Sequence, residues 1–369
     1  LGRLLTYSVG EYDPQFFSEQ VVKQLQQAAA RVALARLNEI ASSPGATVEP
    51  EAFALLAEKV AAVQPGSLLG LARLDDLDVW FHPVREDELV GTGYPTLNRL
   101  IGGWGKELWM VFADSGVGKS MLLQNFAAAA AVRGKRVLHI TLELGIRSQI
   151  HRYYRQIAGV SRAEFVHNEE KVRKDLGQWF RLAQGEIFLL EFSAYGLDPD
   201  ALRRTIERAN RAVGDIDVLV LDYLDLLTPK TRGRGGAYED LGRLTHEVRS
   251  LCPEFDLTVL TASQAVRRPE HSGRLTQRDM GDSYQKVRGA DGLISLVQTP
   301  EEEQVHQGRL GLIKVRDSGG RGQEVPLYIN RELAIIAELS HPNTVELMTR
   351  LGHLPSQITP QAGGGLLAK

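Results

Sequence analysis

The sequence predicts an α/β fold with a mainly parallel sheet flanked by helices, preceded by a small α-helical N-terminal segment. From Gly91 onward, apolar strand-like runs alternate with helix-forming runs, the texture of βαβ units. The first such run, Leu108 to Phe112, enters a turn of small residues, Ala113-Asp114-Ser115-Gly116-Val117-Gly118-Lys119-Ser120, and a helix-forming run from Met121 to Ala131 follows. Upstream of Gly91 the apolar residues recur at helical spacing instead.

Taken in order, Phe17, Val21, Val22, Leu25, Ala29, Val32, Ala33 and Leu37 predict a helix over 14–41, which Ser42-Ser43-Pro44-Gly45 ends. A second helical pattern runs from Pro50 to about Val63 and stops at Pro65-Gly66. Strands are expected at Leu108–Phe112, Arg136–Thr141, Ile187–Glu191, Val218–Asp222, Leu257–Thr261, Gly292–Gln298 and Arg309–Val315. Helices are expected over 119–132, 147–157, 170–184, 199–213 and 238–252. Past Leu339 the pattern weakens, and Gln361-Ala-Gly-Gly-Gly-Leu reads as a loose tail or tether. The expected layout is a helical segment and linker over 1–86, the α/β domain over 87–340, and a C-terminal tail over 341–369.

Composition narrows the function classes. Of 369 residues, 43% are hydrophobic and 24% charged, ordinary for a globular protein. A net charge of −3 supplies no global basic field, so any nucleic-acid site must be a local patch or a pore lining. The single cysteine, Cys252, excludes an intramolecular disulfide and a Cys-rich zinc site, and points to the reducing cytoplasm. No run of about 18 apolar residues is present to span a bilayer. The chain starts at Leu1 without Met, which leaves room for an upstream segment.

The turn from Ala113 to Ser120 carries the chemistry. Between a strand and a helix, small residues let backbone N–H groups curl around a phosphate, where the helix N-terminus adds positive potential. The backbone from Ala113 to Met121 is the expected cradle for a nucleoside triphosphate, Lys119 reaches its β- and γ-phosphates, and the Ser120 hydroxyl helps hold Mg²⁺. Ala113 replaces the usual first Gly of such a loop. About 100 residues downstream, Asp217-Val-Leu-Val-Leu-Asp222 runs four apolar residues into an acid at a strand's C-terminal end, where Asp222 can orient Mg²⁺. Glu143, at the end of the strand after the first helix, can orient or deprotonate the attacking water. Gln264 closes the strand Leu257–Thr261 with a neutral amide that can sense the γ-phosphate. Lys314 and Arg316 share one face of the last strand; they read either as cations for a triphosphate, supplied to a neighbouring subunit, or as the basic face of an exposed strand.

In that order, these pieces resemble the hexameric replicative DNA helicases of the DnaB type, which carry a RecA-like ATPase. The resemblance runs from about Gly91 to Asn330. Gly91-Thr-Gly-Tyr-Pro-Thr-Leu-Asn98 is similar to that family's segment before its phosphate loop, where Ala at the first loop position is usual. Leu142-Glu143-Leu144 resembles its Ser-Leu-Glu-Met, Asp222-Tyr223-Leu224 its Asp-Tyr-Leu-Gln, and Ser263-Gln264 its Ser-Gln. Lys314-x-Arg316 followed by Gly319 is similar to its Lys-x-Arg-Asn-Gly. The resemblance implies a RecA-like P-loop core, ATP with Mg²⁺ between subunits of a hexamer, and Lys314 and Arg316 acting in trans. It also implies single-stranded DNA as the track, with primase, a helicase loader or other replisome proteins as partners, and no membrane.

Two loops leave the strand ends on the side that would face a ring's centre. The first carries Lys230, Arg232 and Arg234; the second, from Arg267 to Gln285, carries Arg267, Arg268, Arg274 and Arg278. Repeated around a ring, these cations favour salt-sensitive, sequence-independent binding. The second loop departs from the family's Arg-Glu-Ser-Gly and reads Met280-Gly281-Asp282-Ser283, which keeps backbone contacts from Gly281 and Asp282 but loses the arginine. Two alternatives stay open: a RecA/RadA-type recombination ATPase that coats DNA as a filament, and a non-motor loader or regulatory module whose nucleotide only gates partner binding.

Overall fold

Nine strands form one sheet in the order β3-β2-β4-β5-β1-β6-β7-β8-β9. They are β1 (Leu108–Ala113), β2 (Arg136–Thr141), β3 (Glu186–Glu191), β4 (Val218–Asp222), β5 (Thr258–Gln264), β6 (Gly292–Val297), β7 (Gln307–Val315), β8 (Glu324–Asn330) and β9 (Ile335–Glu338). Neighbours from β3 through β6 pair in parallel; β7, β8 and β9 extend the sheet antiparallel. The computed structural model describes residues 89–229, 237–264, 289–316 and 320–353, with 237–239 as backbone only. These all lie within the unit Val84–Lys369. The helices expected before residue 86, both basic loops and the Gly-rich tail fall outside the described residues.

The alternation along β1 shows how the sheet is covered. Trp109, Val111 and Ala113 point into one core, Leu108, Met110 and Phe112 into the other. In β4, Val218 and Val220 oppose Leu219 and Leu221 in the same way. A parallel sheet with both faces buried reads as continuous apolar runs, which is why these strands stand out in the sequence. The first face is capped by α2 (Lys119–Val132), which is mostly apolar on every side, with Gln124 and Asn125 as buried polar exceptions, because it is buried among β1, β2, β4, β5 and β9. The opposite face is capped by α6 (Pro199–Val213) and α7 (Ala237–Phe255), through Leu202, Ile206, Leu244, Val248 and Leu251. Among the described residues no helix is long and apolar enough to cross a membrane.

The expected strands and long helices are present, with end shifts of a few residues. The sequence reading lacks α1 (Pro95–Ile101), α4 (Arg162–His167), α8 (Pro300–Gln304), α9 (Pro342–Leu351) and the last two strands, and it contains α3 (Ile146–Ala158) and α5 (Glu169–Leu182). Pro326 interrupts the β8 pattern, although Val325, Leu327 and Ile329 alternate into the core. Past Leu339 the weak texture conceals α9: Pro342 occupies its first turn and Gly352 its left-handed C-terminal cap, so the residues read as breakers are its ends.

Candidate nucleotide-binding site

The C-terminal ends of β1, β2, β4 and β5 converge on one cleft of about 280 Å³. Parallel α/β sheets place ligands beyond these strand ends. Gly116 and Gly118 take φ of 81° and 120°, backbone that side chains rarely adopt, and so let the turn fold back over the start of α2. That helix has no side-chain cap and no acidic residue in its first turn, so its leading N–H groups favour an anion. Ala113 is fully buried and its methyl group lies in the core beside α2, which accounts for a loop that begins with Ala instead of Gly. Val117 also packs toward that core, whereas Ser115, Gly116, Gly118, Lys119, Ser120 and Met121 line the cleft.

Lys119 donates to the carbonyls of Ala113 and Asp114, each at 3.0 Å. Burial holds its ammonium below the usual lysine range, opposed by the carboxylates of Asp114, Glu143, Asp225 and Asp222. Ser120 donates its hydroxyl to Asp222 Oδ1 at 3.0 Å. Asp222 is the last residue of β4, fully buried, and its Oδ2 has no hydrogen-bond partner. Burial pushes its carboxyl up to about 6, with Glu143 adding to the rise and the Ser120 hydrogen bond, Arg152 and Lys119 opposing it. An orphaned buried carboxylate oxygen beside a hydroxyl fits Mg²⁺, a hard cation that takes one or two protein oxygens and fills its remaining positions with water and phosphate. Among the described residues no group of three or more His, Cys, Asp or Glu side chains is placed to hold a metal.

Glu143 reaches the cleft from the turn after β2. Thr141 shapes that turn: its hydroxyl donates to the Leu144 carbonyl at 2.8 Å and accepts the Leu144 N–H at 3.1 Å. The Leu142 N–H donates to the Asp222 carbonyl at 2.9 Å, which ties the turn to the end of β4. Gln264, the last residue of β5, donates its amide to the Tyr223 hydroxyl at 3.1 Å. Asp225 accepts from the Ser263 hydroxyl at 2.9 Å and from the Gln264 N–H at 3.3 Å, so the ends of β4 and β5 are bridged beside the cleft.

Lys314 and Arg316 do not reach this cleft. Val315 pairs with Gly292, and Gly292 with Trp109, near the start of β1. Arg316 is therefore separated from the phosphate loop by most of the length of β1, roughly 15 Å at about 3.3 Å per residue. Lys230, Arg232, Arg234, Arg267, Arg268, Arg274, Arg278, Gly281 and Asp282 lie outside the described residues.

Tyr223, noted in the sequence only as part of Asp222-Tyr223-Leu224, lines the cleft, as do Arg152, Arg155 and Arg331, which sequence reasoning did not select. Arg152 and Arg155 sit on α3, whose inner face is fixed by buried polar contacts. The Gln124 amide donates to Gln156 at 2.6 Å, and His139 Nδ1 lies 2.7 Å from the Tyr153 hydroxyl. Burial holds His139 neutral, pushed down to about 3, with Arg152 nearby adding to the effect. The signal for Arg152 was its place beside Gln149 and Tyr153 on a helix following the Glu143 turn, but that direction needs the tertiary structure. Arg331 comes from the β8–β9 turn, an element missing from the sequence reading.

Residues 90–334 match the family described as DnaB-like helicase C terminal domain. The chain is 23% identical over 257 residues to the replicative DNA helicase DnaB of Mycoplasma genitalium, covering 64% of this chain and 54% of that protein. It is 21% identical over 329 residues to the DnaB-like replicative helicase of Enterobacteria phage T4, covering 82% of this chain and 68% of that one. The chain thus spans about half the length of the bacterial relatives it matches. Its fold is similar to a solved structure described as an ATPase domain, with a TM-score of 0.62 at 18% identity, over 72% of this chain and all of that domain. It is also similar to a DnaB-like replicative helicase solved to describe its interactions with primase, with a TM-score of 0.63 at 17% identity, over 88% of this chain and 77% of that one. With the matched segment running from the phosphate-loop strand through β8, the chain belongs to the DnaB-like helicase C-terminal domain family.

Proposed function

We propose that this chain is the motor of a ring-forming, ATP-hydrolysing DNA helicase that translocates on single-stranded DNA and separates duplex during replication. The carrying observation is the convergence of Lys119, Ser120, Asp222, Glu143 and Gln264 on one set of strand ends, with Lys314 and Arg316 at the other end of the sheet. Backbone N–H groups from Ser115 to Ser120 cradle the phosphates of ATP, and Lys119 releases its two carbonyls to meet them. Ser120 and Asp222 would hold Mg²⁺, which would supply charge neutralisation for the phosphates. Glu143 orients the attacking water and accepts its proton; Arg152 faces the same cleft and offsets phosphate charge. Gln264 senses the γ-phosphate and, through Tyr223 and Asp225, passes its state to the ends of β4 and β5.

Because Arg316 stands too far from the cleft of its own chain, it acts on the nucleotide of a neighbour, as a trans-acting finger does. That geometry and the family support a hexamer with ATP at each interface. Residues 87–340 form the ATPase domain, 1–86 a helical segment and linker, and 341–369 a C-terminal extension. Lys230, Arg232, Arg234 and the second loop, including Gly281 and Asp282, grip the DNA backbone. Primase, a loader and other replisome proteins are the partners, and the cytoplasm is the compartment. The family match favours this reading over a RecA/RadA-type filament or a non-motor module.

The test is steady-state ATP hydrolysis with and without single-stranded DNA, on mixed assemblies. Lys119→Ala and Arg316→Ala are each inactive alone. Mixed one to one, about a quarter of the interfaces join an intact Lys119 to an intact neighbouring Arg316, and turnover partly returns. Wild-type turnover by Arg316→Ala, or full-rate hydrolysis by isolated monomers without DNA, refutes the reading.

A further inference from the structure

At the end of the sheet away from the phosphate cleft, Arg316 places Nη1 2.8 Å from Asp291 Oδ1. The same carboxylate is held by Arg249 of α7, whose Nε lies 2.9 Å from both oxygens and whose Nη2 lies 2.8 Å from Oδ1. Asp291 Oδ2 also accepts the Leu108 N–H at 3.1 Å, which anchors the carboxylate to the first residue of β1. Asp291 is 3% exposed, whereas the Arg249 and Arg316 side chains are 39% and 41% exposed. One buried anion, fixed to the sheet, thus presents two guanidinium groups at a groove of about 500 Å³ that Lys106, Glu107 and His246 also line.

The charge balance gives Arg249 a purpose. A buried Asp291 paired with Arg316 alone would form a neutral pair, and the guanidinium would meet an incoming phosphate with its charge already compensated. Two guanidinium groups on one carboxylate leave a net positive charge at this end of the sheet, on a groove to which Lys106 and Glu107 add one charge of each sign. Lys314 adds to it from the same strand, with its ammonium donating to the Ala290 carbonyl at 2.6 Å. Burial lowers the pKa of Lys314, with Arg316 and Arg249 adding to the effect and Asp291 opposing it.

We propose that Asp291 and Arg249 are the positioning pair of Arg316: the carboxylate fixes where the guanidinium stands, and Arg249 offsets the carboxylate so that Arg316 keeps its charge for a neighbour's triphosphate. Neither touches the reacting atoms. The inference rests on the trans role of Arg316 and deepens it, adding two residues that set the geometry and the charge of the finger.

The experiment compares DNA-stimulated ATP turnover of the full chain for Arg249→Gln, Arg249→Lys, Asp291→Asn and the Arg249→Gln/Asp291→Asn double variant, with Arg316→Ala as reference. Arg249→Gln lowers kcat by roughly 10- to 100-fold, the scale of a misplaced catalytic group, while KM changes by less than about threefold. Arg249→Lys, which keeps the charge, retains kcat within about fivefold of wild type. The double variant recovers part of the Arg249→Gln loss, because no carboxylate remains to neutralise Arg316. Mixing Arg249→Gln with Lys119→Ala subunits restores turnover, since the neighbour then supplies an intact finger. If Asp291→Asn fails to fold, Arg249→Lys and the mixed assemblies carry the test alone. Wild-type turnover by Arg249→Gln beside an inactive Arg316→Ala overturns the positioning pair and leaves the trans finger standing, as does additive loss in the double variant or absent rescue on mixing. An active Arg316→Ala instead overturns the trans finger itself.

Discussion

Replacing Asp222 with Asn separates what this carboxylate does for stability from what it does for chemistry. Asp222 is fully buried at the end of β4, and only one of its oxygens is partnered, by Ser120. Its carboxyl is raised from 3.8 to about 6, chiefly by burial. The folded protein therefore holds this proton more tightly than the unfolded chain. Stability from this group is fully present below about pH 4, falls as pH rises toward about 6, and stays lost above it. Two pH units correspond to roughly 3 kcal/mol of destabilisation at neutral pH. Asn removes the charge and keeps the shape: its amide can turn toward the Ser120 oxygen and leave a carbonyl in the unpartnered position. After allowing about 1 kcal/mol for that imperfect hydrogen bonding, Asp222→Asn stabilises the nucleotide-free protein by roughly 1–3 kcal/mol at pH 8. For a domain of this size that raises Tm by several degrees. The assay is thermal unfolding of wild type and variant in chelator, without nucleotide, at pH 8 and pH 4. The gain disappears at pH 4, and Mg²⁺-dependent turnover is lost at every pH. A variant that melts below wild type at pH 8, or whose advantage does not change with pH, would falsify the burial argument.

Glu143→Gln keeps the size and polarity of the side chain but cannot take a proton. It binds ATP with near-wild-type affinity while kcat falls by about 10²- to 10⁴-fold, read by equilibrium nucleotide binding beside single-turnover hydrolysis. Neutralising Lys230, Arg232 and Arg234 together lowers the slope of log affinity for single-stranded DNA against log salt by up to about 2. An unchanged slope takes that segment out of the DNA path.

The sequence was legible where a local pattern and its physical cause coincide. β1 and the apolar stretch of β4 are sealed on both faces and read as unbroken apolar runs, and the Gly-rich turn after β1 reveals itself because only such residues tolerate its backbone. Asp222 and Glu143 were found because an acid at a strand end in this topology has one place to go. Legibility ended where position depends on contacts distant in sequence. Arg152 is one basic residue on a helix rich in them, and its direction comes from Gln124 and His139 beneath it. Arg331 depends on β8 and β9, and α9 was hidden because Pro342 and Gly352 look like breakers when their roles as helix ends are not yet known. The Asp291–Arg249 pair joins residues 42 positions apart, and nothing local marks it.

The placement of Arg316 and the phosphate loop at opposite ends of one sheet sets a rule for assembly. On the proposed trans role of Arg316, reciprocal pairing across a two-fold axis would saturate both sites of a pair and stop at two copies. Head-to-tail stacking would instead have each copy lend a finger forward and receive one from behind, and it can continue around a ring. In such a chain of copies the first and last members are idle at one end, and closing the circle is what puts all of them to work.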